Sequence, residues 1–258
     1  MKRIALFLAV LLAQGIVARA NSVNLSMVYD PTSKKYFIGG KSKFLLRQGE
    51  GGAPAERIEV SINGGDYAPY SNAVTFDREG KYTLKFRAAN AVNNWSPEQF
   101  VEVFVDLTSP NTELKLPEER SHQAKESHFM AVNGAIVLSA QDNLSGVGTT
   151  EYSWDGTNFI PYGGPVQITR EGKQTLYYRS TDRVGNVEAV KSVEFTADAK
   201  APHSEVKPME NARTVLIDGV TYVNDSVSFT VAGQDESSGV KQVWVSIDGQ
   251  PAQIFQKP

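Results

Sequence analysis

The residues best suited to chemistry in this chain are oxygen donors. Asp142, Asp182 and Asn186 lie in short polar segments beside glycine, and Asp235 stands in the later segment that matches Asp142. Oxygens of this kind suit calcium, which accepts about six to eight oxygen ligands in a flexible geometry. They equally suit turn chemistry, because Asp and Asn side chains bond nearby backbone amides while Gly146 and Gly185 allow a positive φ. No Asp-x-Asp-x-Asp loop with a closing Glu is present, so both roles stay open.

Other chemistry finds little support. The chain has no cysteine, which excludes a zinc-thiolate site, a cysteine nucleophile, a disulfide framework and a lipid anchor on an N-terminal cysteine. His122, His128 and His203 fall in polar segments without metal-ligand spacing, and 121–127 reads as a loop. There is no Gly-x-Ser-x-Gly elbow, no phosphate-cradling glycine loop and no His-Glu-x-x-His. The chain therefore reads as non-enzymatic, with no cofactor expected beyond possible calcium. With 26 basic against 29 acidic residues and a net charge of −3, no basic patch for nucleic acid is announced. Trp244 is a candidate binding residue, because alternation turns it outward where Glu59 and Glu151 stand earlier in the chain.

The elements that must position these residues are written as a repeat. Arg78-Glu79-Gly80-Lys81 returns as Arg170-Glu171-Gly172-Lys173, a shift of 92 positions, and Pro110 returns as Pro202 at the same shift. Asp142-Asn143-Leu144-Ser145-Gly146-Val147 returns as Asp235-Glu236-Ser237-Ser238-Gly239-Val240, a shift of 93 positions. Within each unit apolar and polar residues alternate, which is the pattern of half-buried strands. Leu84 and Phe86, then Leu176 and Tyr178, read as inward sets. So do Val101, Val103 and Val105, matched by Val193, Phe195 and Ala197, and the series Val227, Phe229 and Val231. Val60 with Ile62, Tyr152 with Trp154, and Val245 with Ile247 read as inward pairs before an Asn-Gly or Asp-Gly dipeptide, the signal of a tight hairpin. Trp95 and Trp154 are placed in the core by their matches to Val187 and Ile247.

About seven short strands per unit with regular turn signals point to an all-β fold of tandem antiparallel immunoglobulin-like β-sandwiches, the last one incomplete. The expected organisation is a signal peptide over 1–20, a divergent first repeat over 21–109, a second over 110–200 and a truncated third over 201–258. The leader has Lys2 and Arg3, an apolar stretch from Ile4 to Ala13 and the small-residue exit Ala18-Arg19-Ala20, with cleavage expected before Asn21. That apolar stretch is shorter than the roughly 20 residues that span a bilayer, so no membrane-spanning segment is expected in the mature chain.

Asp142-x-x-Ser145-Gly146-Val147, Tyr152-Ser153-Trp154-Asp155-Gly156, Tyr178-Arg179-Ser180-Thr181-Asp182 and Gly185-Asn186-Val187-Glu188 resemble the bacterial immunoglobulin-like repeats of cell-envelope proteins, in particular the OmpL-type "beta-barrel" domain repeats. The first repeat departs from this pattern, with Asn90, Asn93 and Asn94 where the second has Asp182, Gly185 and Asn186, and Glu50 in place of Asp142. The resemblance implies a secreted protein of the periplasm or cell surface, associated with the outer membrane. It would act as a spacer or adhesion module whose partners are envelope or extracellular proteins or glycans. The alternative is the non-catalytic N-terminal array of a larger secreted enzyme, for example a polysaccharide-active one.

Overall fold

The structure is a computed structural model and describes residues 16–18, 27–40, 42–44, 46–48, 55–124, 127–209, 213–225 and 227–255. Among them the regular elements are strands and one short 3-10 turn, Glu118–Arg120, as the period-two pattern requires. No helix is long and apolar enough to cross a membrane. Most of the expected leader lies outside the described residues, as does Glu50. Ile16–Ala18 pairs antiparallel with Leu46–Gln48, a pairing that cleavage before Asn21 would remove.

The chain divides into two compact units. One contains Met1–Lys115, Leu138–Gly164 and Leu176–Ser192, the other Leu116–Val137, Pro165–Thr175 and Val193–Pro258.

In the first unit a six-stranded sheet has the order Met27–Asp30, Lys35–Gly39, Gln99–Asp106, Gly80–Ala89, Arg57–Ile62 and Ala68–Pro69. Its neighbours run antiparallel except Lys35–Gly39 and Gln99–Asp106, which are parallel with Phe37 opposite Phe104. The sheet is thus antiparallel as expected apart from this one pair. A parallel pair needs a long connection, and here the rest of the sheet supplies it. Ile38, Leu84, Phe86, Val103 and Val105 face Phe44, Leu46, Val74 and Phe76, where Phe44 bridges Val74, so a second layer closes the sandwich. Each such side chain contributes about 1.5–3 kcal/mol by leaving water.

The same bonding recurs 92 positions on. Glu151 pairs with Pro161 as Glu59 pairs with Pro69. The Tyr162 hydroxyl accepts the Leu138 N–H as Tyr70 accepts that of Leu46. Arg179 bonds Glu151 as Arg87 bonds Glu59. Val147–Ser153 pairs antiparallel with Gly172–Asp182 and bulges between Val147 and Thr149. There a Cβ on Gly148 would stand 2.6 Å from the Asp182 carbonyl oxygen, which only glycine avoids.

In the second unit Met130, Ile136, Val166, Ile168, Phe195 and Ala197 are buried. Ser121–Ala124 and Ser127–Ala131 form a hairpin with His122 opposite Phe129 and His128 opposite Gln123, so the expected loop over 121–127 is corrected. Ser127–Ala131 then runs parallel to Lys191–Asp198, repeating the first unit's exception. Further along, His203–Pro208 pairs with Phe229–Gln234, Thr214–Ile217 with Val220–Val223, and Trp244–Val245 with Gln253–Ile254. None of the described residues beyond Asp198 is buried. Phe229, expected inward, is exposed, because these are two-stranded ribbons and a ribbon offers its apolar face no second layer.

The hairpin expectation is also revised. Asn63 and Gly64 have positive φ, yet the strands around them pair across the wider loop 61–67. The two-residue hairpin forms at Asp218–Gly219 instead. Before the Asn-Gly and Asp-Gly pairs the inward alternation breaks. Ser61 and Ser153 are buried with their hydroxyls bonded inside the turn, which rotates Ile62 and Trp154 outward. Trp95 is likewise 37% exposed and not a core residue, stacking against the Arg57 and Arg87 guanidinium groups at 4.8 and 4.2 Å.

Candidate functional site

Three aspartates meet where strands end. Asp106 closes Gln99–Asp106, Asp182 closes Gly172–Asp182, and Asp142 follows Ala135–Gln141 directly. One carboxylate oxygen from each lies within 4.8 Å of the others. Asp106 is fully buried and Asp182 nearly so.

Each aspartate is held by amides of the loop it begins or receives. Asp142 Oδ1 accepts the N–H groups of Leu144 (3.1 Å) and Gly146 (2.7 Å). Asp182 Oδ1 accepts those of Val184 (2.9 Å), Gly185 (2.6 Å) and Asn186 (2.8 Å). Positive φ at Gly146 and Gly185 lets these loops curl onto the acids. Asp106 reaches forward as well: Oδ1 accepts the Thr108 N–H (3.1 Å) and Oδ2 that of Ser145 (2.9 Å). The Asn186 amide nitrogen donates to Asp182 Oδ2 at 2.6 Å and to the Asp106 carbonyl at 2.9 Å, so it braces the acids. Burial pushes the Asp182 carboxyl above its ordinary value, outweighing the amides of Asn186 and Gly185, and the neighbouring Asp106 charge acts in the same direction. Among the described residues, two buried side-chain oxygens lack a hydrogen-bond partner, Asp142 Oδ2 and Ser145 Oγ.

The bonding continues around the three acids. Glu79 accepts the Thr108 hydroxyl (2.6 Å) and the Leu107 N–H (3.2 Å) with one oxygen and the Asn143 amide (3.0 Å) with the other. These bonds, led by the Thr108 hydroxyl, hold its carboxyl below the usual range. Five residues on, Thr112 is pinned by Glu188, whose two oxygens accept the Thr112 N–H and hydroxyl at 2.8 and 2.6 Å. Burial alone would raise the Glu188 carboxyl, but Lys191 and Thr112 lower it overall. Gly39 stands so close to this region that a Cβ on it would lie 2.7 Å from the Val184 carbonyl oxygen.

Some 92 positions on, half of the pattern repeats. Asp198 Oδ2 accepts the Ser238 N–H (3.0 Å), as Asp106 accepts that of Ser145. Asp235 Oδ1 accepts the N–H groups of Ser237 and Gly239, as Asp142 accepts those of Leu144 and Gly146. Of the expected oxygen donors, then, Asp142, Asp182 and Asn186 come together and Asp235 stands apart, on the loop whose Ser238 N–H Asp198 accepts. Asp106 escaped the sequence reading, although its recurrence as Asp198, just before the repeated prolines, was a usable signal. Trp244 is 56% exposed on the short strand Trp244–Val245. Among the described residues, the histidines join no cluster of candidate ligands.

These features define a chain of all-β, immunoglobulin-like sandwich architecture with loops held by aspartate carboxylates. No family model and no curated protein matches it. Among solved structures, the fibronectin(III)-like modules of CbhA from Clostridium thermocellum are similar at 13% identity and a TM-score of 0.35, covering 63% of this chain and 89% of that one. The fold assignment rests on the strands and core described above.

Proposed function

We propose that this protein is a non-enzymatic, exported spacer of immunoglobulin-like repeats at the bacterial cell envelope, in which the joint between repeats is an ordered element. One observation carries the reading. The last residue of one repeat's closing strand, Asp106, accepts from the next repeat, its carboxylate from the Ser145 N–H and its backbone carbonyl from the Asn186 amide, and Asp198 with Ser238 begins the same arrangement again. A flexible linker would leave its backbone groups to water, whereas Asp106 and Thr112 are both anchored and only 107–111 lies between them. Repeats separated by such joints transmit position, which is what a spacer needs. The basic start, apolar stretch and small-residue exit of 1–20 support export. The repeat boundaries near 109 and 200 belong to the same proposal.

Two measurements test it. Expressed with its leader in a bacterium, the chain should be recovered outside the cytoplasm with Asn21 as its first residue; an unprocessed cytoplasmic product would end the export claim. Limited proteolysis should spare 107–111 in the wild type and cut there in Asp106→Ala. Equal cleavage of both would end the spacer claim.

A further inference from the structure

Three carboxylates within reach of one another, Asp106 and Asp182 buried and Asp142 half-buried, with no ion pair to any of them among the described residues, are electrostatically incomplete. Hydrogen bonds satisfy most of their oxygens but leave Asp142 Oδ2 buried and without a donor. A second orphan belongs to Ser145, a residue that Asp106 holds. Ser145 is 2% exposed and its Oγ has no partner, while its own N–H lies 2.9 Å from Asp106 Oδ2. Buried oxygens without donors cost stability unless something positive meets them.

From this we infer that Asp106, Asp142 and Asp182 form a site for one divalent cation of the calcium type, entered through Asp142 Oδ2. Oxygens on opposite sides of a calcium ion stand about 4.6–5.2 Å apart, whereas those of magnesium stand about 4.0–4.2 Å apart. Three carboxylate oxygens within 4.8 Å of one another can share one ion, and their irregular loop-borne setting suits calcium's flexible geometry better than magnesium's strict octahedron. Ser145, held by its N–H on Asp106 Oδ2, would offer its unpartnered Oγ as a neutral oxygen ligand, with water completing the shell. Asn186 positions Asp182 through its amide nitrogen. Asp235 takes no part, because it stands with Asp198 at the second joint. The inference goes beyond the spacer reading, since the joint's direct hydrogen bonds exist without an ion.

Calorimetric titration of the full chain, stripped of metal, should show one calcium bound with a dissociation constant of about 10⁻⁴–10⁻³ M, the range of extracellular calcium modules. Magnesium should bind at least tenfold more weakly. In Asp142→Asn the retained carbonyl oxygen can still accept from Leu144 and Gly146, so the variant should melt in chelator at or above the wild-type midpoint. It should lose calcium affinity by at least tenfold. Asp235→Asn should bind as the wild type does. No heat with the wild type at 10 mM calcium, equal binding by Asp142→Asn, loss of binding in Asp235→Asn, or equal binding of magnesium would each overturn the assignment. None of these results would alter the protease pattern expected of the spacer.

Discussion

Gly39 shows how a single residue sets a joint. Its Cβ position lies 2.7 Å from a backbone oxygen, Val184 O, which cannot swing aside as a side chain end does. Gly39→Ala should therefore lower stability by about 1–3 kcal/mol, the usual cost of overpacking, as read by urea denaturation. A loss below 0.5 kcal/mol would mean that the contact yields freely. Asp106 is the residue that alternation hides. The burial pattern of Gln99–Asp106 ends in two consecutive buried positions, so a charged residue occupies what the period-two reading leaves outside. The same ending recurs in Lys191–Asp198. Asp142 and Asp182 were legible because they open polar loops; Asp106 needed the repeat itself to reveal it.

At the scale of elements, strands with a covering layer behaved as their pattern indicates. Leu84, Phe86, Leu176 and Tyr178 are all buried, as alternation required. Ile62 and Trp154 departed because a serine hydroxyl captured the turn, and a pattern of apolar letters carries no sign of such a bond. Parallel pairing at Phe37 and Phe129 was equally hidden, since it joins segments some 65 positions apart. The recurrent tyrosine offers a direct test of the repeat. Tyr162→Phe removes the acceptor for the Leu138 N–H and should cost about 1–3 kcal/mol, and Tyr70→Phe should cost a similar amount through Leu46. Denaturant melts that found one variant costly and the other neutral would show that the two repeats do not share this bond in solution. Leu176→Ala, at a fully buried site, should cost about 2–5 kcal/mol by the same measurement.

For the molecule as a whole, the repeated joints tie stability to acidity. Asp198 has its carboxyl held below the ordinary value of 3.8, first by Ser238 and then by the Lys200 N–H. A depressed value means that the ionised form is favoured by folding. The contribution is therefore complete above about pH 4 and is lost as pH falls through the lower folded value. Wild type and Asp198→Ala should differ in melting temperature at pH 7 and converge towards pH 3; a gap that persists unchanged at pH 3 would assign the effect to packing instead. The measurement that bears most directly on the central claim is backbone ¹⁵N relaxation across 107–111 in the metal-free full chain. Ordered joints predict order parameters near 0.85, matching those of Gln99–Asp106 and Asn111–Lys115. Values below about 0.6 there, with both flanking strands rigid, would contradict the account.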